Sequence, residues 1–302
     1  MTAVVPTKAD RPRTAIFRWV RRNASPSTVI AALFLLTVLL LIVVVPFLPS
    51  YDPYAQDLMF GMASPGEVNA AGHTLLLGAD FLGRDTLSRL ALAGRISISI
   101  ASAAVAISFV IGLSLGLIAG FFGGLAENVI MGLADLQMAI PRMLLLVAVT
   151  ALVGPSVAVL ILVLGLTSWV SYGRVARAMA ISLRHREFVL AAITQGATSS
   201  WNIRKHLLPN VMPQMVIVAS FELGQMISLE AALSYLGLGL QPPLPSWGMM
   251  ISEGQGYLTL DPWLSVFPGI AIFFLIAGVQ FLTRHATAED GDDLEAGWRG
   301  KP

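Results

Sequence analysis

Hydrophobic residues along this chain gather into long runs separated by polar segments. The first run, residues 28–48, reads TVIAALFLLTVLLLIVVVPFL and contains no charge. Coiled into a helix rising ~1.5 Å per residue, a run of this length crosses the ~30 Å hydrocarbon layer of a bilayer once. Further apolar runs lie near residues 96–120, 128–151, 155–173, 209–236 and 263–283. The pattern predicts an all-α integral membrane protein with about six transmembrane helices. A secretory signal competes for the first run, because Arg18, Arg21 and Arg22 precede it. Its apolar core is too long for that and no A-x-A-like cleavage site follows, so a retained anchor is expected.

Lysine and arginine are spread unevenly over the polar segments. Residues 1–27 hold Lys8, Arg11, Arg13, Arg18, Arg21 and Arg22, and residues 174–208 hold Arg174, Arg177, Arg184, Arg186, Arg204 and Lys205. Residues 237–262 hold neither, and residues 49–95 set three arginines against Asp52, Asp57, Glu67, Asp80 and Asp85. Cationic loops stay on the cytoplasmic side, so the first two segments are expected inside and the other two outside. An even number of spans then places both termini in the cytoplasm. The tail, residues 284–302, mixes Arg284, Arg299 and Lys301 with five acids and reads as a loose end. Near the N-terminus, Ile16, Phe17, Trp19 and Val20 stand among arginines, as in a helix lying on anionic lipid. The organisation expected is a basic inner segment (1–27), a first span (28–48), an outer segment (49–95), a membrane core (96–283) with a polar elbow at 185–208, and the tail.

Composition narrows the function classes. Of 302 residues 56% are hydrophobic and 12% charged, and the mean hydropathy is +0.75, beyond what a soluble domain carries. A net charge of +1 gives no footing for nucleic acid. With no cysteine, and with His73, His185, His206 and His285 lacking ligand spacing, no metal centre is expected. Gly300 and Lys301 form an isolated GK without a phosphate-cradling loop before it. Any ATP consumed must be hydrolysed by another chain.

Small residues recur every fourth position at Ala104, Ser108, Gly112, Gly116 and Gly120, a stripe along which another helix can pack closely. The elbow reads EFVLAAITQGATSSWNIRKHLLPN. Glu187 to Gln195 favours helix, and Gly196 breaks it by accepting a left-handed turn. Ser199 or Ser200 is then expected to cap a second short helix carrying Trp201, and Pro209 to reset the chain for the next span. Such a pair has too little area to fold alone, so its apolar side must rest on the membrane core or on another protein.

Ala191, Ala192, Gly196, Leu208 and Pro209 resemble the EAA signature of binding-protein-dependent ABC importer permeases. The signature's glutamate position holds Leu190, with Glu187 the nearest acid. GADFLGRDTLSRLALAGRIS, AIPRMLLL, RKHLLPN, EAALSYLGLGLQPPLPSWGMM and PWLSVFPG extend the resemblance across about residues 75–283, to the C-type subunit of the dipeptide, oligopeptide and nickel subfamily. The resemblance implies a MetI-like type I importer permease fold in a prokaryotic cell membrane. It also implies a heterodimer with a homologous B-type permease, two ATPase domains holding ATP and Mg, and an extracytoplasmic solute-binding protein that delivers peptide. This chain would itself bind no cofactor and catalyse nothing. Phe188, Val189, Ala191, Ala192, Gly196, Trp201 and Arg204 are expected to face the ATPase, with Glu187, Leu208 and Pro209 completing the coupling segment.

Charges within spans need a partner or water. Asp135 and Arg142 are two helical turns apart and are expected either to pair or to line the translocation path, with Pro141 kinking the route between them. Glu222 and Glu230 are eight apart and are candidates for path lining, Glu230 also for local capping. Trp247, in a proline-stiffened outer loop, is read either as an interfacial residue or as a docking point for the binding protein. The competing functions are a nickel permease of the same subfamily, a proton-coupled transporter relaying protons through Asp135, Glu222 and Glu230, and an intramembrane enzyme. The last lacks an HExxH motif.

Overall fold

The computed structural model describes residues 26–299, so the basic segment with Ile16, Phe17, Trp19 and Val20 lies outside the described residues. Helix α1 (Pro26–Val44) runs into a 3-10 turn (Val45–Phe47). A polar segment follows, pinned by a second 3-10 turn (Leu58–Phe60) and by the bridges Val68 to Thr74 and Ala79 to Asp85. Helix α2 (Thr86–Phe122) begins well before residue 96, because Asp85 accepts the Ser88 N–H at 2.9 Å and caps it. Its 37 residues reach about 55 Å, longer than a bilayer core is thick.

The run near 128–151 is not one straight span. Helices α3 (Gly124–Met138) and α4 (Arg142–Val153) meet at 83°. Pro141 stands extended between them, since a proline ring disfavours helix in the residue before it and its nitrogen donates no hydrogen bond. Helix α5 (Val157–Arg184), capped by Ser156, continues past residue 173 and carries Arg174, Arg177 and Arg184 on its final turns. Helices α6 (Glu187–Thr194) and α7 (Ser199–Asn202) form the elbow; a π turn (Ile203–Leu207) joins α7 to α8 (Leu208–Tyr235). Helix α9 (Trp247–Gln255) is short, and α10 (Trp263–Arg299) closes the chain. The expected loose tail is helical as far as Arg299, where Ala, Glu and Leu favour continuation and no proline intervenes. Among the described residues, five helices are long and apolar enough to cross a membrane, or six if the bent α3 and α4 count as one span.

The small-residue stripe is a packing seam. A Cβ at Gly112, Gly116 or Gly120 would lie 2.5 to 2.6 Å from the Cβ atoms of Tyr172, Ala176 and Ala180, so the two stripes meet in step, every fourth residue. Without bulk at these positions α2 and α5 approach backbone to backbone. The seam joins two apolar clusters. One is centred on Ile100, Leu146, Leu160 and Leu233 near the α9 end of α2, the other on Leu113, Tyr172, Val211 and Met215 toward the elbow.

Candidate functional site

The elbow is built as a cap on the end of the α5 and α8 helices. At the end of α6, Ala197 N–H reaches Ala192 O at 3.0 Å and Gly196 N–H reaches Ile193 O at 2.9 Å. This reversal needs the φ of +87° that Gly196 adopts. Thr198, not Ser199 or Ser200, caps α7, accepting the Trp201 N–H at 3.3 Å. Pro209 does not reset the chain either. Helix continues from Ser199 to Tyr235, and the π turn just before Pro209 absorbs the ring that would otherwise meet the carbonyl four residues back.

The elbow has an anchored side and a free side. Val189 is fully buried with Leu207 and Tyr172, so it is an anchor and not a contact residue as expected. Glu187, Phe188, Ala191, Gly196, Trp201, Arg204 and Pro209 are exposed, while Ala192 and Leu208 are half-buried. Leu190 and Ile193, absent from the expected set, are exposed beside them. His206 is wedged between two aromatics, its ring centroid 5.4 Å from Phe188 and 5.0 Å from Trp201. Helical spacing alone does not bring these three rings together; the turn at Gly196 does.

The intramembrane charges regroup. Asp135 and Arg142 do not pair, because the 83° bend at Pro141 separates their faces. Asp135, 68% exposed at its side chain, binds Arg174 at 2.6 Å, and Arg142 lies 3.6 Å from Glu222 and donates to Ser168. Arg142, Glu222 and Arg174 line a cavity of about 740 Å³ between the α3–α4 bend, α5 and α8, walled mostly by apolar side chains such as Leu145, Val170 and Phe221. Glu230 lies apart, fully buried, accepting the Ser234 hydroxyl at 2.8 Å. It does not line this cavity.

Trp247 is also placed differently from the expectation. It is 0% exposed, its indole N–H donates to Leu90 O at 3.0 Å, and a Cβ at Gly94 would lie 2.6 Å from its ring. A residue so enclosed pins α9 to α2 and offers nothing to a docking protein. Next to it Arg89, buried at the start of α2, bonds Asp80 and reaches Glu253 at 2.9 Å, while Arg84 holds Asp80 at 2.7 Å. This ionic clasp joins the polar segment to α9. Asp80, Arg84 and Arg89 fall within the GADFLGRDTLSRL stretch, but no sequence signal points to Glu253.

Residues 112–287 match the model of the family described as binding-protein-dependent transport system inner membrane component. Over 277 residues, 92% of this chain and 91% of the relative, the sequence is 35% identical to a probable D,D-dipeptide transport system permease protein of Escherichia coli. A nickel transport system permease protein of the same organism is 35% identical over 226 residues, 75% of this chain and 79% of the relative. A chain of the MetNI methionine ABC transporter, solved in inward-facing conformations, superposes with a TM-score of 0.53 at 19% identity, covering 67% of this chain and 95% of that one. That likeness extends to the fold.

Proposed function

Because this chain belongs to the family of binding-protein-dependent transport system inner membrane components, we propose that it is the membrane-spanning subunit of an ATP-driven importer of short peptides. A homologous B-type permease completes the translocation path, two ATPase domains supply ATP and Mg chemistry, and an extracytoplasmic protein delivers the peptide. This subunit performs no covalent chemistry. The observation that carries the reading is the elbow, whose exposed side presents Phe188, Leu190, Ile193 and Trp201 while its other side is anchored by Val189 and Leu207. Apolar side chains of this size on a polar, cytoplasm-facing turn call for a protein partner.

The elbow suits mechanical coupling. Helix runs unbroken from Ser199 to Tyr235, and Val189 ties α6 to Tyr172 on α5. A displacement of the elbow by closing ATPases is therefore delivered to α5 and α8, two walls of the cavity that holds Arg142 and Glu222. The lining also separates the two cargoes named among the relatives. With Arg174 engaged by Asp135, Arg142 faces the cavity beside the single carboxylate of Glu222; one carboxylate next to a guanidinium disfavours a divalent cation, and the guanidinium favours a substrate with a carboxylate.

The test is co-purification of the ATPase with this chain, together with peptide uptake. Trp201→Asp leaves the buried anchor untouched, and Gly196→Asp places a side chain at a left-handed φ that costs roughly 1–2 kcal/mol. Both variants are expected to insert normally, lose the ATPase and stop uptake. Retention of the ATPase and of uptake by both would remove the elbow from the coupling role.

A further inference from the structure

Among the described residues, Arg142 Nε and Glu222 Oε2 are buried without a hydrogen-bond partner, as are a few polar atoms elsewhere, and these two side chains stand next to each other. Buried polar groups are nearly always paired, so two unsatisfied charged groups side by side ask what completes them. Glu222 is 4% exposed, and its carboxylate stands 3.6 Å from the Arg142 guanidinium, near enough for attraction but beyond a hydrogen bond. The guanidinium donates instead to Ser168 and lies 3.7 Å from Met226 Sδ. Both charges face the cavity of about 740 Å³, a size usual for small-molecule sites.

Two of the other polar side chains lining the cavity are already engaged. Gln137 donates to Thr167 O at 2.6 Å and accepts the Trp169 indole N–H at 2.9 Å, and Arg174 holds Asp135. The Arg142 and Glu222 pair is left as the under-satisfied charge pair of a mostly apolar wall.

We propose that this pair is a binding site for a small zwitterion, which enters between the two side chains and replaces their loose contact with two charge-assisted sets of hydrogen bonds. The ligand's carboxylate accepts from the free Nε–H and a terminal N–H of Arg142, a bidentate geometry to which guanidinium is suited. Its ammonium donates to the unpartnered oxygen of Glu222. Each protein charge trades one opposite charge for another, so neither is left buried alone during the exchange. The inference rests on the peptide-importer reading and deepens it, since a short peptide with free termini is such a zwitterion.

The experiment uses the importer purified through a tag on this chain and placed in lipid nanodiscs without the solute-binding protein, whose own selectivity would mask the site. Binding of radiolabelled alanyl-alanine is competed with its N-acetylated form, its C-terminal amide and free alanine. Hydrogen bonds to charged groups lead us to expect each blocked form to compete at least ~10-fold more weakly in the wild type. Glu222→Gln should erase the penalty for acetylation and Arg142→Gln the penalty for amidation. The double variant, neutral at both positions, should stay assembled by gel filtration and lose both preferences. Alanine competing as well as the dipeptide would support the site and assign it to the termini alone. Assembled variants that keep the wild-type ranking, or a wild type that binds none of these molecules, would overturn the proposal. ATP-driven uptake of dipeptide alongside such a result would leave the importer reading standing, whereas absence of an ATPase from the purified complex would strike that reading and not the site.

Discussion

Substituting alanine at Gly120 should damage the bundle although alanine is the better helix former. Propensity favours the change by about 1 kcal/mol within a helix. At Gly120, however, the added Cβ would stand 2.6 Å from the Arg177 carbonyl oxygen, 2.6 Å from Ala180 Cβ and 3.1 Å from Arg177 Cα. Most of these atoms are backbone, so no rotamer change relieves the overlap. To restore ordinary contact near 3.5 Å, α2 must retreat from α5 by about 1 Å, which forfeits roughly a quarter to a half of the dispersion attraction between facing atoms. The retreat also stretches the bond from Arg184 to Gly120 O, now 3.1 Å. Overpacking of this kind costs ~1–3 kcal/mol, with larger values where backbone must move, and leaves a net loss after the propensity gain. Gly132 on α3 is the control, because nothing lies within 4 Å of a Cβ placed there. Thermal melts of the purified importer, followed by tryptophan fluorescence in detergent, should show a lower midpoint for Gly120→Ala and an equal or higher one for Gly132→Ala. Equal or rising midpoints for both would refute the close-contact seam.

Trp247→Ala should cost ~3–5 kcal/mol by emptying a filled site between α9 and α2, and Trp247→Phe less, yet the folded fraction of either should bind the solute-binding protein with unchanged Kd in a surface-plasmon titration. A weakened Kd at unchanged stability would return Trp247 to the docking surface. Arg89→Met takes the buried cation from Asp80 and Glu253, which keep only Arg84 at 2.7 and 3.5 Å, and should cost up to ~3–5 kcal/mol in the same melts. Asp135→Asn, which breaks an exposed pair, should shift stability by less than ~1 kcal/mol. Similar losses for the two would mean that the clasp is no better shielded from water than the exposed pair.

The spans and the elbow were legible in sequence because each depends on local physics. An uncharged apolar run the length of a bilayer, a glycine that must turn left-handed and a stripe of small residues declare themselves without knowledge of their neighbours. The intramembrane charges were not legible in this way. Spacing put Asp135 and Arg142 on one helical face, but Pro141 does more than kink the helix: it ends one segment and redirects the next by 83°. Each charge then meets whatever the fold brings to it, Arg174 in one case and Glu222 in the other, at sequence separations no periodicity encodes. Trp247 was misplaced for a related reason. Proline-rich flanks and an aromatic residue read as an exposed interfacial loop, whereas the glycine that makes room for its ring is Gly94, on another helix. The same bend that hid the Arg142 partner also walls the cavity, since Met138, Ile140, Pro141 and Arg142 line it together with α5 and α8. The proline therefore has two effects that the sequence shows as one: it breaks the span, and it sets Arg142 beside Glu222 at the wall of the cavity.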